Sequence, residues 1–166
     1  MLRLSVLLFA GLALSCSTTA GLKPITSRDS EVPCPGGRLV WNLEIKDQRA
    51  ERLDSPRLMG LLRESLSHSF PGCQWVDTAR PDTPTIVIEI HSFAAEFDGT
   101  IYDATAEWTV LARDASGRTL TEFQAEARVS RPNYRGSNNE REALREAFEQ
   151  AVNRTLAGLR SVSGRS

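Results

Sequence analysis

Between residues 102 and 130 the sequence holds two long stretches of strict alternation. Ala104, Ala106, Trp108, Val110 and Ala112 fall on one side, and Asp103, Thr105, Glu107, Thr109 and Arg113 on the other, with Leu111 the single apolar residue out of place. Residues 119–130 repeat the pattern through Phe123, Ala125, Ala127 and Val129. Side chains alternate along a strand, so this spacing demands a sheet with one face covered and one face wet. Asp114-Ala115-Ser116-Gly117 supplies a hairpin turn between the two strands, and Asp98-Gly99 supplies another ahead of them. Three earlier segments read as strands on the same grounds. Leu39, Trp41, Leu43 and Ile45 share one side of 39–45, a short strand falls at Gln74–Val76, and Ile86, Ile88 and Ile90 align within 85–93.

Two segments carry helical spacing instead. Ser55 is placed to cap a helix whose first residue is Pro56, and Leu58, Leu62, Leu66 and Phe70 recur every fourth residue until Pro71-Gly72 stops it. Ser137 and Glu140 form a capping box ahead of Ala143, Leu144, Ala147, Phe148, Ala151, Val152, Thr155, Leu156 and Leu159. The order is therefore β-α-β-β-β-β-α. A sheet with one apolar face and two amphipathic helices make an α+β two-layer sandwich, with a mostly antiparallel sheet and both helices on one face.

The N-terminus has the layout of an export signal. Arg3 precedes an apolar run from Leu4 to Leu14, broken only by Ser5 and Gly11 and far short of the roughly 20 residues that span a bilayer. Leu12-Ala13-Leu14-Ser15 leads directly to Cys16, in the manner of the lipobox at which bacterial lipoproteins are acylated and cleaved. The alternative is an ordinary secretory signal in which Cys16 is incidental. The reading divides the chain into a signal peptide (1–15), a lipidated tether (16–37), one α+β domain (38–160) and a tail (161–166). Ser, Thr, Pro and Gly without apolar periodicity mark the tether as a spacer lifting the domain off the lipid. With Cys16 given to lipid, Cys34 and Cys73 remain as an even pair in an oxidising compartment, and the β-α-β unit between them brings both to one end of the sheet if its strands are parallel neighbours. A metal site is the rival use of those cysteines, but with only His68 and His91 elsewhere no ligand spacing supports it.

Other chemistry is sparse. Net charge is −1 with mixed signs, which gives no footprint for nucleic acid, and neither a phosphate-binding loop nor a nucleophile elbow is present. No cofactor is called for. Ser65, Ser67 and Ser69 flank His68 on one helix, where neighbouring positions point apart, so no triad geometry follows. Glu89, Glu107, Glu122 and Glu126 could pair as glycosidase carboxylates do, but with Arg113 and Arg128 among them they read better as a solvated sheet face. Tyr134 and Arg135, in the loop before the last helix, are the residues of a candidate partner-binding surface.

The strings IKDQRAERLDSPRLMGLLRESL, TIVIEIHSFAAEF, YDATAEWTVLARDASGRTLTEFQAEA and NNEREALREAFEQAVNRTLAGL together resemble the YajG-type small lipoproteins and the ABC-type transport auxiliary lipoproteins of intermembrane lipid transport. The shared features are the lipobox, the Asp47-x-Arg49 strand end, an aromatic-bearing strand after a tight hairpin and a final amphipathic helix. The tyrosine-rich opening common in the auxiliary group is missing. The resemblance implies a non-enzymatic protein held by lipid on the periplasmic face of the outer membrane, with an envelope protein as partner. Ser17 after the cysteine agrees with outer-membrane sorting as enterobacteria perform it. The other class left open is a small envelope hydrolase or glycan-binding lipoprotein.

Overall fold

The computed structural model describes residues 19, 21–26, 32–50, 52, 54–78, 80–133 and 139–162. The signal segment, Cys16, Tyr134, Arg135 and Ser137 lie outside the described residues. A 3-10 turn, Pro35–Gly37, leads into β1 (Val40–Asp47), followed by α1 (Ser55–Ser69), β2 (Gln74–Val76), β3 (Thr85–Phe97), β4 (Ile101–Arg113), β5 (Thr119–Pro132) and α2 (Asn139–Val162). The order is the one the periodicity requires. The five strands stand as β2-β1-β3-β4-β5, with β1 parallel to both its neighbours and β3, β4 and β5 antiparallel in succession. The sheet is thus mixed, because α1 carries the chain from β1 to parallel β2, and the chain then passes from β2 to β3 on the other side of β1.

The core lies between the sheet and the two helices. Trp41 and Leu43, the isoleucines of β3, and the alternate residues Ala104 to Ala112 and Ala125 to Val129 face Leu58, Leu62 and Leu66 of α1, Phe70 just past its end, and the apolar stripe of α2. Five alanines on β4 and β5 keep the sheet floor low, so α2 seats closely. At Gly158 the approach is at its limit, since a Cβ there would stand 2.2 Å from Cζ of Phe123. The buried indole N–H of Trp108 donates to Oγ1 of Thr155 at 2.7 Å, which satisfies the polar end of an otherwise apolar side chain.

Three local expectations are adjusted by packing. Residue Asp54, not Ser55, is the N-cap of α1, and Pro56 stands in its first turn. Strand β3 runs on to Phe97 because a bulge between Ile90 and Ser92 resets its alternation. His91 is the residue that shifts the phase, so Phe93 points into the core and Ser92 does not. Leu111 is explained by its register partner Val87, with which it shares the open face.

The larger correction concerns the tether. Thr19 is fully buried, Leu22 is 4% exposed within the core cluster, and Ile25 donates its N–H to Oγ of Ser65 at 3.0 Å. Thr19 and residues 21–26 are therefore held on the domain and do not act as a free spacer. They enter at the first turn of α2, where Gly21 lies against Arg141, and lead toward Ser65 in the second half of α1. A backbone bond from the Leu22 N–H to the Thr19 carbonyl, with Gly21 at φ 84°, closes a tight turn at the entry. The segment lacks helical or strand periodicity because it is a strap fixed at a few points, and a few isolated apolar residues suffice for that. At the other terminus α2 reaches Val162, past the expected domain limit at 160.

Candidate functional site at the hairpin end

The strands define two ends. One holds the start of β1, the end of α1, the 114–117 turn and a disulfide joining Cys34 to Cys73 across a Cα separation of 5.5 Å. The β1–β2 parallel pair brings those two cysteines together. The opposite end, here the hairpin end, gathers the β3–β4 turn, the end of β1, the starts of both helices and the entry of residues 19–26.

At the hairpin end β1 stops while β3 continues, which leaves the next carbonyls of β3 without a strand partner. Arg49 fills that place. Its Nη1 donates to the Phe93 carbonyl at 3.3 Å, Nε and Nη2 grip Asp47 at 2.9 and 2.7 Å, and Nη2 also reaches Asp54 at 2.9 Å. The Asp-x-Arg motif is thus a clasp between strand end and helix start, with Arg49 only 8% exposed. Burial pushes the Asp47 carboxyl up, but hydrogen bonds from Arg49 and Ser55 and the charge of Arg49 outweigh it and hold the group below its ordinary range. Burial acts against the charge of Arg49 as well, and its bonds to Asp47 and Asp54 more than restore it. Asp54 serves α1 through its backbone, since its carboxylate is engaged by Arg49.

The tip of the β3–β4 hairpin carries a different chemistry. Phe97 and Tyr102 stack with ring centroids 4.6 Å apart and planes 27° apart, on the helix-side face. Phe97 is 47% exposed, one of two large apolar side chains so open among the described residues, the other being Leu39 at the far end. The turn beneath is closed by the Asp98 side chain. Oδ1 of Asp98 accepts from the N–H groups of Thr100 and Ile101 and from the Thr100 hydroxyl, each at 2.8 Å, and the Ile101 and Thr100 backbone bonds keep its carboxyl below the usual range.

The open sheet face brings together two of the four carboxylates singled out from the sequence. Glu107 and Glu126 are register partners, but Gln124 donates to Glu107 and Arg128 binds Glu126 at 2.7 Å. Glu89 lies near Lys46, and Glu122 is exposed opposite Leu111. His91 Nε2 meets Thr109 Oγ1 at 2.9 Å, while His68 is exposed on α1. Ser65 donates to the Leu61 carbonyl and Ser69 is buried, so neither faces His68. Among the described residues no three or more His, Cys, Asp or Glu converge on a metal-sized site, and no helix is long and apolar enough to cross a membrane. The feature that sequence reasoning missed is the Phe97–Tyr102 stack, whose signal was the aromatic on each side of the Asp98-Gly99 turn.

No family model matches the sequence, and no curated protein matches it. Solved structures do share the fold. A Xanthomonas campestris protein of family DUF330 superposes with a TM-score of 0.57 at 14% identity, over 87% of this chain and 95% of that one. A candidate lipoprotein from Caulobacter crescentus gives 0.50 at 15% identity, over 74% and 92%. A candidate neuraminyllactose-binding hemagglutinin homolog from Helicobacter pylori gives 0.53 at 9% identity, over 86% and 98%. At these identities the likeness defines the fold alone, an α+β domain shared with, among others, one bacterial protein described as a lipoprotein.

Proposed function

We propose that this chain is a non-enzymatic bacterial envelope lipoprotein, joined to the outer membrane on its periplasmic side through acylated Cys16, and that its domain is a binding or assembly module. The transport-auxiliary resemblance favours a place in an ABC-type or intermembrane lipid transport system. The observation that carries the reading is the short interval between Cys16, where the lipobox-like run ends, and Thr19, where the chain is already buried in the domain. Such a layout suits a lipid anchor built directly onto a folded body. The surface most suited to a partner is the edge of β5, a fourteen-residue strand with no strand beyond it among the described residues.

Cys16→Ser is expected to abolish labelling by radioactive palmitate and to leave the precursor misprocessed; full labelling of the variant would overturn the anchor. A photo-crosslinking residue placed at exposed Glu122 or Arg128 should capture one discrete envelope protein, and one at exposed Glu64 on α1 should not. Equal capture at all three positions would remove the β5 edge from the reading.

A further inference from the structure

From the positions of Thr19 and residues 21–26 we infer that the hairpin end of the domain faces the lipid bilayer and that the Phe97–Tyr102 stack lies in its interfacial layer. The inference rests on the acylation of Cys16 proposed above. Three residues extended reach at most about 10 Å, so Thr19 stands no farther than that from a cysteine held in the headgroup region. Thr19 is itself fixed, buried beside the turn that sets Gly21 against Arg141 in the first turn of α2. That turn of α2 is tied to the hairpin. Asn139 donates to the Pro132 carbonyl, Pro132 is the register partner of Ile101, and the Asn133 N–H donates to the Thr100 carbonyl at 2.8 Å.

The strands set the scale. Thirteen-residue β4 is about 40 Å long at 3.4 Å per residue, several times the reach of the leash, so the 114–117 turn at its other end is carried away from the lipid. The surface brought nearest is one where a half-exposed phenylalanine stacks on a tyrosine, and rings of this kind settle at the level of lipid headgroups. Charge among the described residues there is mixed: Arg131 is paired with Glu146, Asp98 is bonded into its own turn, and Arg141 stands exposed between Glu140 and Glu142 at the start of α2. Ring burial beside a lipid anchor is the chemistry that fits, and it calls for no anionic lipid.

The test uses the acylated full chain in liposomes of phosphatidylethanolamine, with or without phosphatidylglycerol, and lipids brominated near the glycerol. Phe97→Trp places a probe at the tip, and Ser116→Trp places one in the 114–117 turn. The native Trp41 and Trp108 are fully buried and Trp75 belongs to the disulfide end, so their background is shared by both variants. Bromolipid quenching is expected to be several-fold stronger for Phe97→Trp, in both lipid mixtures. If Phe97→Trp fails to fold, Tyr102→Trp reports from the same stack. Equal quenching at both ends, or stronger quenching of Ser116→Trp, would overturn the inference while membrane incorporation and palmitate label leave the anchor intact. Loss of label and of incorporation in the wild-type chain would instead overturn the anchor, and this inference with it.

Discussion

Arg49 directs its guanidinium wholly inward, toward Asp47, Asp54 and the Phe93 carbonyl. Removing one member of such a buried set leaves the others uncompensated. Arg49→Met is expected to cost about 3–5 kcal/mol in urea denaturation, and Asp47→Asn combined with Arg49→Met should cost clearly less than the sum of the single changes. Additive costs would show that the three groups do not act together. The clasp also has a pH signature. Because the folded-state pKa of Asp47 lies below its ordinary value of 3.8, its contribution is complete above that value and is lost as pH falls through the lower folded one. Stability should hold level in neutral solution and drop at acid pH, and Asp47→Asn should make that acid limb shallower. The sequence displayed Asp47 and Arg49 as a motif, yet gave Asp54 no role, since its link to Arg49 depends on the chain folding back after β1.

At the scale of elements, the closeness of α2 to the sheet is decided at Gly158. Gly158→Ala would drive a methyl into the ring of Phe123, and repacking around it is expected to cost about 1–3 kcal/mol. Gly60 on α1 offers the contrast, for a Cβ there meets nothing within 4 Å. Gly60→Ala should gain up to about 1 kcal/mol from helix propensity alone, and equal effects at the two sites, read from thermal melts, would contradict the packing described. Periodicity revealed the four longer strands and both helices because each has a buried stripe, whereas three-residue β2 has none and was read from its place between helix and turn. It could not reveal which glycine is pressed against an aromatic ring, nor the bulge at His91, because both depend on a neighbouring element and not on the repeat within one. Phe97 and Tyr102 escaped notice for the same reason: each ends a regular strand, and only the hairpin pairing stacks them.

For the molecule as a whole, the N-terminal segment shows where sequence reading runs out. Composition marked 17–37 as spacer, and its few scattered apolar residues, without helical or strand periodicity, gave no reason to think otherwise. Leu22 nevertheless belongs to the core. Leu22→Ala is therefore expected to destabilise the domain by about 2–5 kcal/mol, where a spacer residue would cost almost nothing, and an unchanged urea midpoint would return the segment to a tether. The disulfide was more legible, since an even pair of cysteines and a β-α-β unit are both sequence-level facts and the parallel β1–β2 register supplied the rest.

Strand β1 is made first and can be used only late. Its long partner is β3, with Leu43 beside Ile86, and its short partner β2 lies beyond a whole helix. Strands β3, β4 and β5 need only two tight hairpins to find each other. Local pairings close quickly and distant ones slowly, so the C-terminal meander with α2 is the natural nucleus, and β1, α1 and the N-terminal strap arrive on a surface already laid down. Order of synthesis and order of assembly then run in opposite directions. Refolding experiments should register this as a difference between two core positions: Val110→Ala in β4 slows folding, whereas Leu43→Ala in β1 leaves the folding rate nearly unchanged and hastens unfolding.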